Sequence, residues 1–134
     1  MQIEVINGKP CMIGRGENLV YQILKETFPK AILDRQQSLV SICCIHDPNE
    51  RERKETIDII MCWKHQKIAI RIQNKEKGSL KLQHEDRQKR DLINSDWLVA
   101  DISEYECENV FNEQKNYLVY LEIFNALYQA GLKP

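Results

Sequence analysis

Residues 56–73 read TIDIIMCWKHQKIAIRIQ, and this stretch decides the fold. Its first arm, residues 56–63, and its second arm, residues 67–73, are rich in the β-branched side chains that strands favour. A short polar link, residues 64–66, joins the two arms, so we predict an antiparallel β-hairpin. In the second arm every other residue is isoleucine, which is typical of a strand with one face on an apolar core.

The regions that flank the hairpin contain helices and further strands. On its N-terminal side, apolar residues at helical spacing predict a helix over residues 17–28, which Pro29 ends. The apolar run at residues 38–45 predicts a strand, and the polar residues 46–55 after it predict a loop.

On the C-terminal side the same signals continue. Residues 76–82 predict a loop, and residues 84–94 predict a polar helix. The apolar run at residues 97–102 predicts a buried strand. A last helix is predicted over about residues 109–130, because Gly131 stands where a helix commonly ends.

The whole chain is predicted to form one domain. Its 134 residues are 43% hydrophobic and 29% charged, which is typical of globular proteins and enough to bury one core. We therefore treat residues 1–134 as a single domain. The order helix, strand, hairpin, helix, strand, helix predicts an α/β fold, in which a small mixed β-sheet is flanked by helices.

The sequence also bears on where the protein works. Its five cysteines are odd in number and form no CxxC pair, so we interpret them as reduced thiols. The first residues lack a signal-peptide pattern, and no window approaches the roughly 18 to 20 apolar residues of a membrane helix. We expect an intracellular protein, cytoplasmic, organellar or nuclear, that is neither secreted nor membrane-bound.

The charge is unevenly distributed along the chain. Residues 64–90 carry nine Lys or Arg against three acids, although the net charge of the protein is -1. Such a block is the electrostatic pattern expected of a protein that binds a polyanion, and a solvated surface is the alternative interpretation. The residues that we predict to bind nucleic acid are Lys64, Lys67, Arg71, Lys77, Lys81, Arg87, Lys89 and Arg90.

Two carboxylates occupy positions that otherwise face the core. Asp58 lies within the apolar first arm of the hairpin, with the strand parity of Ile60, and a buried charge without a partner is costly. Glu17 projects from the apolar stripe of the first helix. On the second arm, Gln73 and a continuation of the strand to Lys75 share one face. These four polar side chains can converge on a single point.

Phosphodiester hydrolysis needs this kind of convergence. Carboxylates hold Mg²⁺ against the scissile phosphate, and a lysine orients or deprotonates the attacking water. Glu17 and Asp58 are the candidate metal-binding acids, and Gln73 offers a neutral amide oxygen to the same ion. Lys75 is the candidate for activating the water. We expect Mg²⁺ as the cofactor, with Mn²⁺ as a substitute.

Each of these residues also has a purely structural explanation. Asp58 can end a strand or pair with Arg53. Glu17 can be an acid in the first turn of a helix, where the helix dipole favours a negative charge. Gln73 and Lys75 can be solvated residues at the end of a strand.

The hairpin, together with HEDRQKRDLINSDWLVADI at residues 84–102, resembles the PD-(D/E)XK nuclease-like superfamily, in pattern nearest to very-short-patch-repair-like nucleases and small homing endonucleases. The resemblance covers about residues 14–102. In that superfamily a helical Glu comes first, an Ile-Asp pair opens the second strand, and an acidic-x-Lys triplet follows on the third. A charged helix with an Arg-Asp pair then leads to a further strand. The resemblance implies a restriction-endonuclease-like core and a metal-dependent endonuclease that cuts DNA, with RNA as the alternative substrate.

The chain departs from that pattern at the third acidic position. If the triplet is Gln73-Asn74-Lys75, an amide replaces the acid and the lysine is kept, as in some homing endonucleases of the superfamily. If it is Arg71-Ile72-Gln73, a cation stands where the metal would bind, and the site is inactive. The alternative function is therefore a catalytically inactive nuclease fold that binds nucleic acid or a protein partner.

The last helix has an apolar band wider than one core face requires. Tyr117, Leu121, Phe124 and Tyr128 form one stripe, and further apolar residues lie beside it. The helix is either a subunit interface or deeply buried within one chain. Since two copies are needed to cut both DNA strands, we expect a homo-oligomer. A third hypothesis is an assembly subunit whose main functional surface is this helix.

Overall fold

The computed structural model describes residues 2–6, 8–73, 79–103 and 116–134, and they form an α/β fold. In chain order the elements are β1 (Gln2–Ile6), β2 (Lys9–Ile13), α1 (Arg15–Thr27), β3 (Ile32–Ser38), α2 (Leu39–Ile42), β4 (Thr56–Trp63), β5 (Gln66–Gln73), α3 (Ser79–Asn94), β6 (Leu98–Ser103) and α4 (Asn116–Ala130). None of the helices among these residues is long and apolar enough to cross a membrane.

The main sheet has four strands in the order β3-β4-β5-β6. The first two pairs are antiparallel and the last is parallel, so the predicted mixed sheet is confirmed. α3 forms the crossover that a parallel pair requires. β1 and β2 form a separate two-stranded antiparallel sheet that the sequence analysis did not predict.

The predicted hairpin is confirmed as β4 and β5. Trp63 pairs with Gln66, which leaves a turn of two residues, Lys64 and His65. Both have a positive φ, of 46° and 63°, as the preferred two-residue hairpin turn requires. Gln66 therefore belongs to the second strand and not to the link.

The core has two layers, one on each face of the main sheet. On one face α1 and α4 pack against Ile59, Met61, Ile68 and Ile70. On the other face α2 and α3 cover a smaller cluster around Ile60 and Ala69. A hairpin buried on both faces explains why β4 and β5 are apolar at consecutive positions.

The predicted strand over residues 38–45 is wrong. The strand lies earlier, at Ile32–Ser38, and the apolar run continues as the short helix α2. The Ser38 side chain accepts a hydrogen bond from the Ser41 amide, which caps this helix. Leu39 is fully buried in the smaller cluster. Helix capping and burial thus override the strand preference of the run.

Two predicted helices differ in detail. α3 begins at Ser79, within the predicted loop, and its predicted end at Asn94 is confirmed. Residues 109–115 of the last predicted helix lie outside the described residues. In α4 the buried stripe is Val119, Ile123 and Leu127, whereas Leu121, Phe124 and Tyr128 of the predicted stripe are exposed.

Candidate functional site

Glu17 lies in the first turn of α1, directly after the helix start at Gly14. Its neighbours along the helix face, Val20 and Leu24, are fully buried, and Glu17 itself is only 5% exposed. The prediction that this carboxylate projects from the core-facing stripe is confirmed. The structural explanation, an acid in the first turn that the helix dipole favours, also fits this position, although the side chain is buried.

Asp58 lies where the regular pattern of β4 is interrupted. Ile57 packs with the cluster under α2 and α3, whereas Ile59 packs with the cluster under α1 and α4. Two residues that should share a face therefore lie on opposite faces. β3 pairs with Ile57 and Ile59 but forms no ladder pair at Asp58. The predicted parity with Ile60 is wrong, because the Asp58 carboxylate meets the side chains of the α1 face.

Gln36 joins the two acids. Its Nε2 donates to Glu17 Oε1 at 2.6 Å and to Asp58 Oδ1 at 3.3 Å. Its Oε1 accepts from the Thr56 hydroxyl at 2.8 Å. The Ile72 amide holds the second Asp58 oxygen, Oδ2, at 2.8 Å. Carboxylates from α1 and β4 and an amide from β3 thus form one cluster.

Sequence reasoning missed Gln36. It lies in a polar strand, and its backbone adopts a positive φ of 49°, which is uncommon for a residue other than glycine. This backbone turn falls where β3 and β4 form no ladder pair, opposite Asp58. Neither periodicity nor residue type signals such a turn, so no feature of the sequence marks the position.

The site holds two carboxyl groups away from water, where a negative charge on both is unfavourable. Burial is the main reason that the pKa of Glu17 is raised to about 8, and the negative charge of Asp58 is the second reason. Burial also raises the pKa of Asp58, although the hydrogen bond from the Ile72 amide acts in the opposite direction. At neutral pH the pair therefore retains a proton on Glu17. A bound cation would replace that proton.

Arg35 is the cation beside the acid pair. Its Nη1 donates to Glu4 Oε2 at 3.1 Å, and its Nη2 lies 3.8 Å from Glu17 Oε2. The guanidinium carbon stacks 4.5 Å from the centre of the Tyr21 ring. Glu4 belongs to β1, so this contact ties the N-terminal hairpin to the site.

Three buried polar atoms at the site have no hydrogen-bond partner among the described residues. They are Glu17 Oε2 and the Nε and Nη2 atoms of Arg35. Buried polar atoms are nearly always paired, and unpaired ones often mark a position that an ion, water or ligand completes. Glu17 Oε2 is an oxygen of the kind that Mg²⁺ binds.

Gln73, another predicted catalytic residue, is the last residue of β5. Gln73 pairs with Ser103 of β6 and directly follows Ile72, whose amide binds Asp58. Lys75 and Lys77 lie outside the described residues. The backbone at Gln73 is therefore one residue from the acid cluster, and its predicted role as a metal ligand stays a prediction.

Arg71 is not exposed to a nucleic acid, and the prediction that it binds a phosphate is wrong. It is only 6% exposed, and its Nε and Nη2 donate to the two Asp101 oxygens at 2.7 and 2.9 Å. Its Nη1 donates to the Glu85 carbonyl at 2.8 Å. The guanidinium thus joins β5 to β6 and α3.

Within the described ranges, the exposed basic residues of the predicted nucleic-acid-binding set lie near the hairpin turn and on α3. The Lys64 and Lys67 ammonium groups stack on the rings of Trp63 and Trp97, at 4.6 and 4.9 Å. Lys64 is about 20 Å along the strand from Asp58, at the usual rise of a β-strand. Arg87, Lys89 and Arg90 are exposed on α3, where Arg87 contacts Glu50, and Lys81 also belongs to α3.

Arg53 does not pair with Asp58, so that structural explanation is wrong. It pairs with Glu55 at 2.8 Å and with Asp91 of α3 at 2.6 Å. These contacts fasten the loop before β4 onto α3. Asp58 has instead the partners in the acid cluster described above.

The donor set fits a hard divalent cation with two carboxylates and one or more amide oxygens. Within the described residues, no group of three or more His, Cys, Asp and Glu side chains is arranged to hold a metal. Among the described residues, a third protein ligand would therefore be an oxygen of another kind, such as the amide or carbonyl oxygens that Mg²⁺ and Mn²⁺ accept. Comparison of the chain with protein-family models, curated proteins and solved structures found no match.

Proposed function

We propose that this protein is a Mg²⁺-dependent endonuclease of the PD-(D/E)XK type that hydrolyses DNA phosphodiester bonds. One observation carries the proposal: Glu17 and Asp58 come from distant parts of the chain and meet in a buried cluster. Like charges are not brought together away from water without a cost, and a divalent cation offsets that cost.

The order of the elements supports the proposal. α1 carries Glu17, three antiparallel strands follow, and Asp58 lies on the second of them. α3 then crosses over to β6, which is parallel to β5. This is the order of helix, strands, charged helix and further strand that the resemblance implies for a restriction-endonuclease-like core.

Each residue has a defined role in the proposed reaction. Glu17 and Asp58 would hold the ion, and Gln73 at the end of β5 is the neutral ligand that the sequence pattern assigns. When bound, Mg²⁺ supplies positive charge where the scissile phosphate becomes more negative. Lys75 orients the attacking water or takes its proton. The lysines and arginines of the predicted nucleic-acid-binding set, except the buried Arg71, bind the phosphates of the DNA backbone. The release of counterions from the DNA favours this binding.

Cleavage of supercoiled plasmid tests this function. With Mg²⁺ or Mn²⁺ the protein should nick or linearise the plasmid, and Asp58→Asn should reduce the rate by at least about 100-fold, since the metal would lose a charged ligand. Asp34→Asn is the matched control, because Asp34 is an exposed aspartate on the adjacent strand β3. Equal rates for the two variants would sink the enzyme interpretation. A single-stranded RNA offered in parallel distinguishes the two substrates.

An inactive binding module is the second candidate. It is favoured by the position of the Gln36 amide nitrogen, which already bridges the two carboxylates. DNA that binds and stays intact in both Mg²⁺ and Mn²⁺ would favour this candidate. Intact DNA without binding would contradict the endonuclease and leave an inactive module that binds a protein partner.

We also propose that the active form is a homo-oligomer that uses α4. The helix leaves Leu121, Phe124 and Tyr128 exposed, at 59%, 40% and 80%. Deep burial within one chain, the other interpretation of its wide apolar band, does not apply to these three side chains. A second copy would bring a second acid pair to the opposite DNA strand.

A further inference from the structure

We infer that Gln36 supplies the third protein ligand of the cation, through its side-chain oxygen. The inference rests on the proposed function, since it concerns the same ion. It also answers the departure found in the sequence, where the third acidic position of the resemblance holds no acid. A residue on β3, which the sequence pattern did not include, takes that place.

Contact with both acids is the first argument. The Gln36 amide is within hydrogen-bond distance of Glu17 and of Asp58, at 2.6 and 3.3 Å. A group that touches both carboxylates stands where a cation bound by both would have its next ligand. Glu17 Oε2, which is buried and accepts no hydrogen bond among the described residues, is a further oxygen on the same side chain.

The Thr56 hydroxyl allows the side-chain amide of Gln36 to rotate by half a turn. Gln36 Oε1 now accepts a hydrogen bond from that hydroxyl at 2.8 Å. A hydroxyl both donates and accepts, so after a half-turn of the amide it would accept from Nε2 instead. The turn keeps the contact with Thr56 and presents the amide oxygen to the acid pair. Without a cation this orientation is repulsive, because three oxygens would face one another. With Mg²⁺ it is favourable.

The backbone holds the side chain in this place. Gln36 interrupts the ladder between β3 and β4 with its positive φ, while Arg35 and Gln37 on either side stay paired. The strand ladder thus fixes the position of Gln36 relative to Asp58. Only rotation of the amide group is needed to exchange the nitrogen for the oxygen.

Binding of Mn²⁺ without nucleic acid tests the inference. Titration calorimetry, at a pH above the pKa of Glu17, gives the affinity of the wild type and the variants. Gln36→Met keeps the length of the side chain and removes the amide, and we expect Mn²⁺ affinity to fall by about tenfold or more. Gln36→Glu should raise affinity by a similar factor and lower thermal stability in the absence of Mn²⁺.

Gln37→Met and Gln73→Met complete the set. Gln37 is the adjacent glutamine on β3, and its amide donates to the Arg35 carbonyl at 2.9 Å, so Gln37→Met should leave the affinity unchanged. Gln73→Met reports on the ligand that the sequence pattern assigned. A loss in Gln73→Met with none in Gln36→Met would overturn the inference in favour of Gln73.

The outcomes separate this inference from the proposed function. If the wild type binds Mn²⁺ and Gln36→Met binds it equally well or more tightly, Gln36 is not a ligand, and the proposed function stands. If the wild type binds no Mn²⁺, both are overturned. If Gln36→Met is unstable, Gln36→Glu keeps the inference open to failure, because an affinity that does not rise in this variant would show that the side chain at position 36 does not face the ion.

Discussion

Glu17 is a carboxylic acid that the fold removes from water. Its pKa is raised from 4.5 to about 8, first by burial and then by the charge of Asp58. Between these values the folded protein keeps a proton that the unfolded chain has released. The stability that the proton provides is complete below pH 4.5 and is lost as the pH rises through about 8.

Glu17→Gln should remove this pH dependence. Without divalent metal, we expect the free energy of unfolding of the wild type to fall by a few kcal/mol between the two pKa values, since one pKa unit corresponds to about 1.4 kcal/mol. Urea unfolding at a series of pH values measures it, and the variant should give a flatter profile. Glu26→Gln, an exposed position on the same helix, should follow the wild type. Parallel profiles for Glu17→Gln and the wild type would contradict the buried acid.

Residue type and spacing could reveal Glu17 but not Gln36. Glu17 was found because helical periodicity gives each side chain a face, and α1 is a regular helix. Gln36 depends on one backbone turn and on a neighbour that is distant in the sequence. The ladder between β3 and β4 is interrupted at Gln36 and Asp58. Strand parity assumes an uninterrupted ladder, so the prediction placed Asp58 on the wrong face of the sheet. The site was difficult to predict because the backbone is irregular at Gln36, and not because of the types of residue that form it.

At the scale of elements, the ion pair between Arg71 and Asp101 joins the parallel strands. β5 and β6 make no hairpin, so side chains across the pair and the contact with α3 hold the crossover in place. Arg71 is buried, whereas the Asp101 side chain is about one-third exposed. The guanidinium uses its Nε and Nη2 atoms as a two-pronged donor, a strong and directional arrangement.

Arg71→Met should therefore destabilise the protein. Removing one partner of a buried ion pair lowers the free energy of unfolding by about 3 to 5 kcal/mol. Because Asp101 is partly exposed, we expect a loss at the lower end of this range, about 3 kcal/mol. Denaturant unfolding measures the loss. Lys89→Met, at an exposed position on α3, should change stability by less than about 0.5 kcal/mol. Similar stabilities for the two variants would show that the ion pair is not structural.

Some elements could be predicted from the sequence and others could not. β4, β5 and β6 were found because they are apolar and end at polar residues or turns. β3 was missed because its sequence, ILDRQQS, is polar after the first two residues, as suits a strand at the edge of the sheet. The N-terminal hairpin was also missed, although Asn7-Gly8 between two apolar runs is a strong sequence signal for a hairpin turn, and Gly8 has a φ of 77°.

At the scale of the whole molecule, the described part of the basic block is divided between the surface and the interior. Lys64 and Lys67 lie by the hairpin turn, Arg71 is inside, and Arg87, Lys89 and Arg90 are exposed on α3. A charge excess along the chain therefore does not by itself define a contact surface.

The exposed apolar face of α4 predicts self-association. Next to it lies a groove of about 200 Å³ whose lining is mostly apolar. The lining residues are Phe28, Trp63, Phe124, Leu127, Tyr128, Leu132 and Pro134. A large exposed apolar patch is costly for a monomer in water, and a second copy would bury it.

Phe124→Lys should shift the protein from dimer to monomer, because it places a charge in the centre of the proposed contact. Sedimentation velocity at several protein concentrations measures the change. Gln129→Lys adds the same charge at an exposed polar position of α4 and should remain dimeric. Monomeric Phe124→Lys should still bind Mn²⁺, since Phe124 is on a different element from Glu17, Gln36 and Asp58. It should nick one strand of a plasmid while losing the ability to linearise it. A wild type that sediments as a monomer at all concentrations would rule out the proposed interface and leave the acid pair as the basis of single-strand cleavage.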